Sequence, residues 1–133
     1  MNFKKNLKTL LVCLLLFMGM MSIIPANKVC AATSGYTITA ETQYVQYTPP
    51  KRICGYVKDA NGNPVANAAI NVSFYSSRYS IPKDPQELLK SEYATTKTDS
   101  KGYYSIWGYD SGYYIPCLIS DPSVNASTYA LVR

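Results

Sequence analysis

Apolar and polar positions alternate with a period of two along much of the second half of the chain. Ile53, Gly55 and Val57 alternate with Cys54, Tyr56 and Lys58, and Ile70, Val72 and Phe74 alternate with Asn71, Ser73 and Tyr75. That period sends successive side chains to opposite faces and predicts two strands, each with one buried face. Between them, Asp59-Ala60-Asn61-Gly62-Asn63-Pro64 concentrates residues that accept positive φ or fix a turn, so the two strands are expected to be joined there. Runs at 91–98 and 103–109 flank Asp99-Ser100-Lys101-Gly102, which predicts a second tight hairpin. Runs at 113–119 and 127–132 supply two more strands. Pro116 has no N–H to give to a ladder, which predicts an edge position or a bulge for its strand.

Two stretches follow a different rule. Residues 36–48 are rich in Tyr and Thr, start with alternation at Tyr36, Ile38 and Ala40, then lose it before Pro49-Pro50, as an added strand or an extended arm would. Residues 76–90 are polar. Within them Asp84 is an N-cap candidate, Pro85 suits the first helical position and Glu87 follows, which predicts one helical turn at about 85–89. Six or seven short strands with regularly spaced turn signals predict an all-β, antiparallel, Greek-key-like β-sandwich.

The beginning of the chain has another character. Lys4, Lys5 and Lys8 precede an almost unbroken apolar run over 10–21, followed by Pro25 and the small residues Ala31 and Ala32. This is the pattern of a secretory signal peptide, with its helix, cleaved after Ala31 or Ala32. The apolar run reaches at most from 10 to 24, short of the ~20 residues that span a bilayer, so no membrane attachment is expected after cleavage. The expected division is 1–32 signal peptide, 33–50 strand or arm and 51–133 sandwich. The product is expected to be secreted and extracellular.

The leader also changes the meaning of the charge. The formal net charge is +5, from 13 Lys and Arg against 8 Asp and Glu. Four of those cations, Lys4, Lys5, Lys8 and Lys28, precede Ala31, and no acidic residue does. The remainder is nearly neutral and has no basic cluster longer than Lys51-Arg52, so a nucleic-acid partner is not expected. The chain has no histidine, which excludes imidazole ligands, a histidine general base and any histidine-dependent triad. Asp59, Asn61 and Asn63 have the spacing that opens a calcium loop, yet Ile70 stands where the closing Glu belongs. A plain turn explains them, and neither a metal nor a cofactor is expected. Asn71-Val72-Ser73 and Asn125-Ala126-Ser127 are glycosylation acceptors in a eukaryotic host.

Ile53-x-Gly55-x-Val57-x-Asp59, Gly62-x-Pro64, Ala68-x-Ile70-x-Val72, Thr98-Asp99-x-x-Gly102-x-Tyr104-x-Ile106 and Tyr113-x-Ile115 together resemble the carboxypeptidase regulatory-like family. The resemblance covers about 52–119. It implies a transthyretin-like, prealbumin-type sandwich that serves as an accessory module and performs no chemistry. The enzymatic relatives of that fold use histidines that this chain lacks.

Two cysteines, Cys54 and Cys117, survive removal of the leader into an oxidising compartment and are a disulfide candidate. Strand parity opposes the bridge. The family register turns Ile53, Gly55 and Val57 inward and Cys54 outward, while Tyr113, Ile115, Cys117 and Ile119 read as an inward set, so a bridge needs a bulge near Pro116.

All 13 tyrosines follow the leader. If Tyr104 and Ile106 point inward, Tyr103, Ser105 and Trp107 point outward. Tyr103, Trp107 and Tyr109 are therefore the candidate ligand-binding residues, with a glycan or an extracellular protein as partner. The same rings also serve as plain strand formers that cover a sheet face. The function expected is a non-catalytic module for binding or adhesion at the cell surface or matrix, and the alternative is an accessory subunit assembling with itself or with a secreted enzyme. Oligomeric state is not legible in the chain. Intact-mass analysis of the secreted product is expected to give a protein beginning at Ala32 or Thr33, and recovery of uncleaved chain in the membrane fraction would contradict it.

Overall fold

The computed structural model describes residues 35–45 and 50–133. The expected signal-peptide helix lies outside them. Among the described residues no helix is long and apolar enough to cross a membrane.

Every strand expected from the alternation is present, and the arm adds two short ones. In chain order they are β1 (Thr37–Ile38), β2 (Glu41–Gln43), β3 (Lys51–Lys58), β4 (Ala69–Tyr75), β5 (Ala94–Lys97), β6 (Tyr103–Gly108), β7 (Gly112–Leu118) and β8 (Thr128–Ala130). They form two antiparallel sheets. In the first, β3 is central, with β6 on one side and β1 and β2 in succession along the other. In the second the order is β5-β4-β7-β8. The architecture is therefore all-β and sandwich-like, and residues 37–43 belong to its first sheet. Between the sheets lie Ile38, Ile53 and Val57 from one side and Ile70, Val72, Tyr114, Leu118 and Ala130 from the other, with Tyr104 of β6 and the loop residue Val124.

The two Asp-led turns are chemically the same device. In each, the Asp Oδ1 accepts from backbone N–H groups two and four residues on: Asn61 and Asn63 for Asp59 (both 2.9 Å), Lys101 and Tyr103 for Asp99 (2.8 and 3.0 Å). In each, the Asp carbonyl accepts from the glycine three residues on, Gly62 or Gly102, and both glycines have positive φ (81° and 71°). The backbone N–H groups, Asn63 above all, hold the Asp59 carboxyl below its usual range.

Neither turn makes the expected hairpin. After Asp59 the chain touches β3 only at Lys58 and Pro64 and through Val65 N–H to the Val57 carbonyl, then crosses to the second sheet as β4. After Asp99 it crosses back, and β6 pairs with β3 over six positions, from Lys51↔Gly108 to Tyr56↔Tyr103. Turn chemistry fixes the reversal of the chain, whereas the apolar face of the following strand decides which sheet it joins. Thr98, buried at the second crossing, ties the two connections together by donating to the Val65 carbonyl (2.6 Å) and accepting from Ala68 N–H (2.9 Å).

Pro116 stands in a strand with neighbours on both sides. Its ring is tolerated because the β8 ladder stops at Tyr114, so the absent N–H falls on the side where Ala126 N–H donates to the Pro116 carbonyl (3.1 Å). The polar connection 76–90 holds two 3-10 helices, Arg78–Ser80 and Pro85–Lys90, the second capped by the Asp84 carboxylate on Gln86 N–H (3.0 Å).

The two turn glycines separate conformational strain from crowding. A Cβ on Gly62 would meet nothing within 4 Å, whereas one on Gly102 would lie 2.5 Å from the Val57 carbonyl oxygen. Gly62→Ala is expected to cost about 1 kcal/mol, the left-handed backbone alone, and Gly102→Ala roughly 3 kcal/mol or more. Denaturant unfolding of the two variants checks the difference, and equal losses would contradict it.

Candidate functional site

The outer faces of the two sheets are finished differently. On the second sheet, Asn71, Ser73 and Tyr75 of β4 and Ile115 and Cys117 of β7 face outward and are covered by the 3-10 helix Pro85–Lys90. Leu88 packs on Ile115 and Cys117, while its carbonyl accepts from Ser73 Oγ (2.6 Å) and Asn71 Nδ2 (2.9 Å). Asn71 is buried by this cover, so its glycosylation motif is inaccessible in the folded protein.

No such cover lies on the first sheet among the described residues. Its register instead arranges the outward side chains in rows. Gln43, Arg52 and Trp107 form one row, Glu41, Cys54 and Ser105 the next, and Tyr56 and Tyr103 a third. The Arg52 guanidinium lies 4.8 Å from the centre of the Trp107 ring. Tyr56 and Tyr103 pack with ring centres 5.3 Å apart. Four residues separate the first row from the third along each strand, about 13 Å. Trp107 and Tyr56 are both 43% exposed and Ser105 is open to solvent.

The aromatic candidates are thus partly gathered. Tyr103 and Trp107 share this face, as their parity predicts. Tyr109 lies beyond the end of β6, 64% exposed, with its N–H held by the Tyr93 hydroxyl (3.0 Å). Sequence reasoning missed Arg52, Tyr56 and Glu41. The first two follow from the outward parity of β3, which is legible, but their neighbours on β2 and β6 are set by pairings that no local pattern announces.

Cys54 sits at the centre of the face, fully covered, with its Sγ donating to a Glu41 carboxylate oxygen (3.5 Å). Burial pushes this thiol up, against the opposing effect of a hydrogen bond with Tyr103. Burial likewise pushes the Cys117 thiol up to about 11. The disulfide candidate is corrected here: both thiols are free. Parity turns Cys54 outward as expected, but on β7 the inward set is Tyr114, Pro116 and Leu118, so Cys117 faces outward too. The two cysteines therefore stand on the outer faces of opposite sheets, with the core between them. The expected inward set fails because β7 is buried on both faces, and an apolar run of that kind carries no parity.

Elsewhere, a groove of about 640 Å³ separates the edge strand β2 from the edge strand β8. The hydroxyls of Thr39, Thr42, Ser127 and Thr128 and the rings of Tyr44 and Tyr129 line it, and Thr42 Oγ1 spans it to Thr128 Oγ1 and to the Tyr129 carbonyl (both 3.0 Å). Among the described residues no three His, Cys, Asp or Glu side chains are grouped to hold a metal. No family model, no curated protein and no solved structure matches the chain. Function must therefore be read from the surface itself.

The thiols give a direct check on the two faces. Without reductant at mildly alkaline pH, the native protein is expected to resist thiol reagents, and denaturant is expected to release both Cys54 and Cys117 as reactive thiols. A denatured protein that titrates no thiol would restore the bridge.

Proposed function

We propose that this chain is a secreted, non-catalytic binding module of carboxypeptidase regulatory-like kind, a Greek-key-like sandwich that engages a glycan or an extracellular protein at the cell surface or matrix. The observation that carries the reading is the asymmetry of the outer faces. The second sheet is capped by the chain's own helical connection, whereas the first leaves Tyr56, Tyr103 and Trp107 on an outer face with no described element over it. Large rings left open to solvent give contact area at small cost in rotamer freedom, which suits recognition. The leader pattern supports secretion. The non-catalytic reading is supported by the absence of histidine and by thiols that are buried and hard to ionise. Greek-key character is supported by the interlocked pairing of β3 with β6 and β4 with β7.

A second reading, an accessory subunit assembling with itself or with a secreted enzyme, is favoured by the groove where β2 and β8 leave their outer edges without a strand partner among the described residues. Light scattering separates the two: a monodisperse monomer retained on a glycan or matrix surface supports binding, and a ligand-free oligomer supports assembly.

Trp107→Ala tests the proposed face before any ligand is known. A half-exposed ring held against the Arg52 guanidinium is expected to cost about 1 kcal/mol on removal. A core tryptophan would cost roughly 3–5 kcal/mol. Retention of the variant on glycan and matrix-protein surfaces is expected to fall while its melting temperature stays near that of the parent, and a large fall in melting temperature would remove this face from consideration.

A further inference from the structure

We infer that the Arg52–Trp107 end of this face is a subsite for a carboxylate carried on a sugar ring, so that the ligand class is an acidic polysaccharide. The inference rests on the binding reading above and specifies its chemistry. The Trp107 ring holds the guanidinium by a cation–π contact, 4.8 Å from its centre, which does not use the N–H donors, and their planar fork matches a carboxylate with two parallel bonds. Among the described residues Arg52 makes no ion pair, and the one such pair joins Lys90 to Glu87, on the connection over the other sheet. Lys51, next in the chain, is likewise set over an aromatic ring, that of Tyr44 (5.1 Å), and not against a carboxylate. Lys51 is on the opposite face of the strand, so on the outer face Arg52 is the cation that makes no ion pair among the described residues.

Among the described residues in these rows the one carboxylate is Glu41, which is engaged by the Gln43 amide (3.2 Å) and by the Cys54 thiol. It stands one row from Arg52 and sets a sign for the test, because its charge opposes an anionic ligand that Arg52 attracts. The ligand backbone follows from the shape of the face. An added peptide strand would pair at the outer edge of β2 or β6, beside this face, whereas a ligand lying over the face meets side chains alone. What remains is the Tyr56–Tyr103 pair about 13 Å along from the Arg52–Trp107 pair, with the Ser105 hydroxyl between. Ring faces at that spacing suit an extended chain of sugar rings, whose apolar C–H faces lie on aromatic surfaces.

The probes are polygalacturonate, dextran sulfate, neutral dextran and polyglutamate, and Trp107, the sole tryptophan, reports contact by its own fluorescence. The full secreted protein is expected to bind polygalacturonate, with a shift in Trp107 emission, and to ignore neutral dextran. Arg52→Gln is expected to weaken that binding about tenfold, Arg52→Lys to restore it only in part, and Glu41→Gln, which leaves the stack intact, to tighten it by a few-fold. Added salt should weaken binding in every case.

Unchanged affinity in Arg52→Gln, or looser binding in Glu41→Gln, overturns the inference. So does dextran sulfate binding as tightly to the Arg52→Lys variant as to the parent, which marks simple ion exchange, or preference for polyglutamate, which marks an acidic protein ligand. Retention on another surface that Trp107→Ala abolishes and Arg52→Gln does not would overturn the subsite while leaving the binding face in place. Loss of retention by neither variant removes both.

Discussion

The hydroxyl of Tyr104 donates to the backbone carbonyl of Thr39, and most of the first sheet is arranged around that bond. Tyr104 is buried to within 1% of its surface, so its phenol needs an acceptor, and burial drives its ionisation far above the ordinary range. Tyr104 and Gly55 are register partners, and a Cβ on Gly55 would run into the Thr39 carbonyl. Only glycine leaves room at that point for the arm to approach β3 while the tyrosine reaches across to it. Thr39 adds two bonds of its own, from its N–H to the Tyr56 carbonyl and from Tyr56 N–H to its Oγ1 (both 3.0 Å). The arm is pinned between β1 and β2, so it can change path there and still pair with β3 on both sides of the break.

That pin also places the candidate site. β2 follows it directly and brings Glu41 opposite Cys54 and Gln43 opposite Arg52, which completes two of the three rows. On its inward side the same strand sends Thr42 to the edge of the second sheet at Thr128 and Tyr129, closing one flank of the sandwich. A connection that starts as a Tyr- and Thr-rich arm thus controls both the edge and the outer face.

Strand existence and most turns were legible from period and turn chemistry, because both act within a few residues. Parity was legible where one face of a strand meets the core and the other carries no further element among the described residues, as for Ile53, Gly55 and Val57 or for Tyr104 against Tyr103. It was not legible on β7, where the short cover Pro85–Lys90 buries Ile115 and Cys117 on the face that alternation would have left polar. The sheet assignment of β4 and β6 was hidden for a related reason. The Asp59 and Asp99 turns satisfy themselves locally, and the choice between hairpin and crossing is made by apolar surfaces far apart in sequence. The aromatic members of the site were visible. Arg52 was not, because its importance comes from the ring it stacks on and the carboxylate it lacks.

Site and core are coupled through register. Arg52 and Trp107 face outward because Ile53 and Ile106, their neighbours in the chain, face inward across the same ladder. A slip of one residue between β3 and β6 would cost the core Ile53 and Val57 and would also separate the guanidinium from its ring. The burial that selects the register, several apolar side chains at roughly 1.5–3 kcal/mol each, far exceeds the ~1 kcal/mol of the exposed Arg–Trp contact. The surface arrangement therefore needs little stability of its own. It is held by the core beneath it, which leaves Arg52, Glu41 and the aromatic rings free to be chosen for what they meet outside the fold.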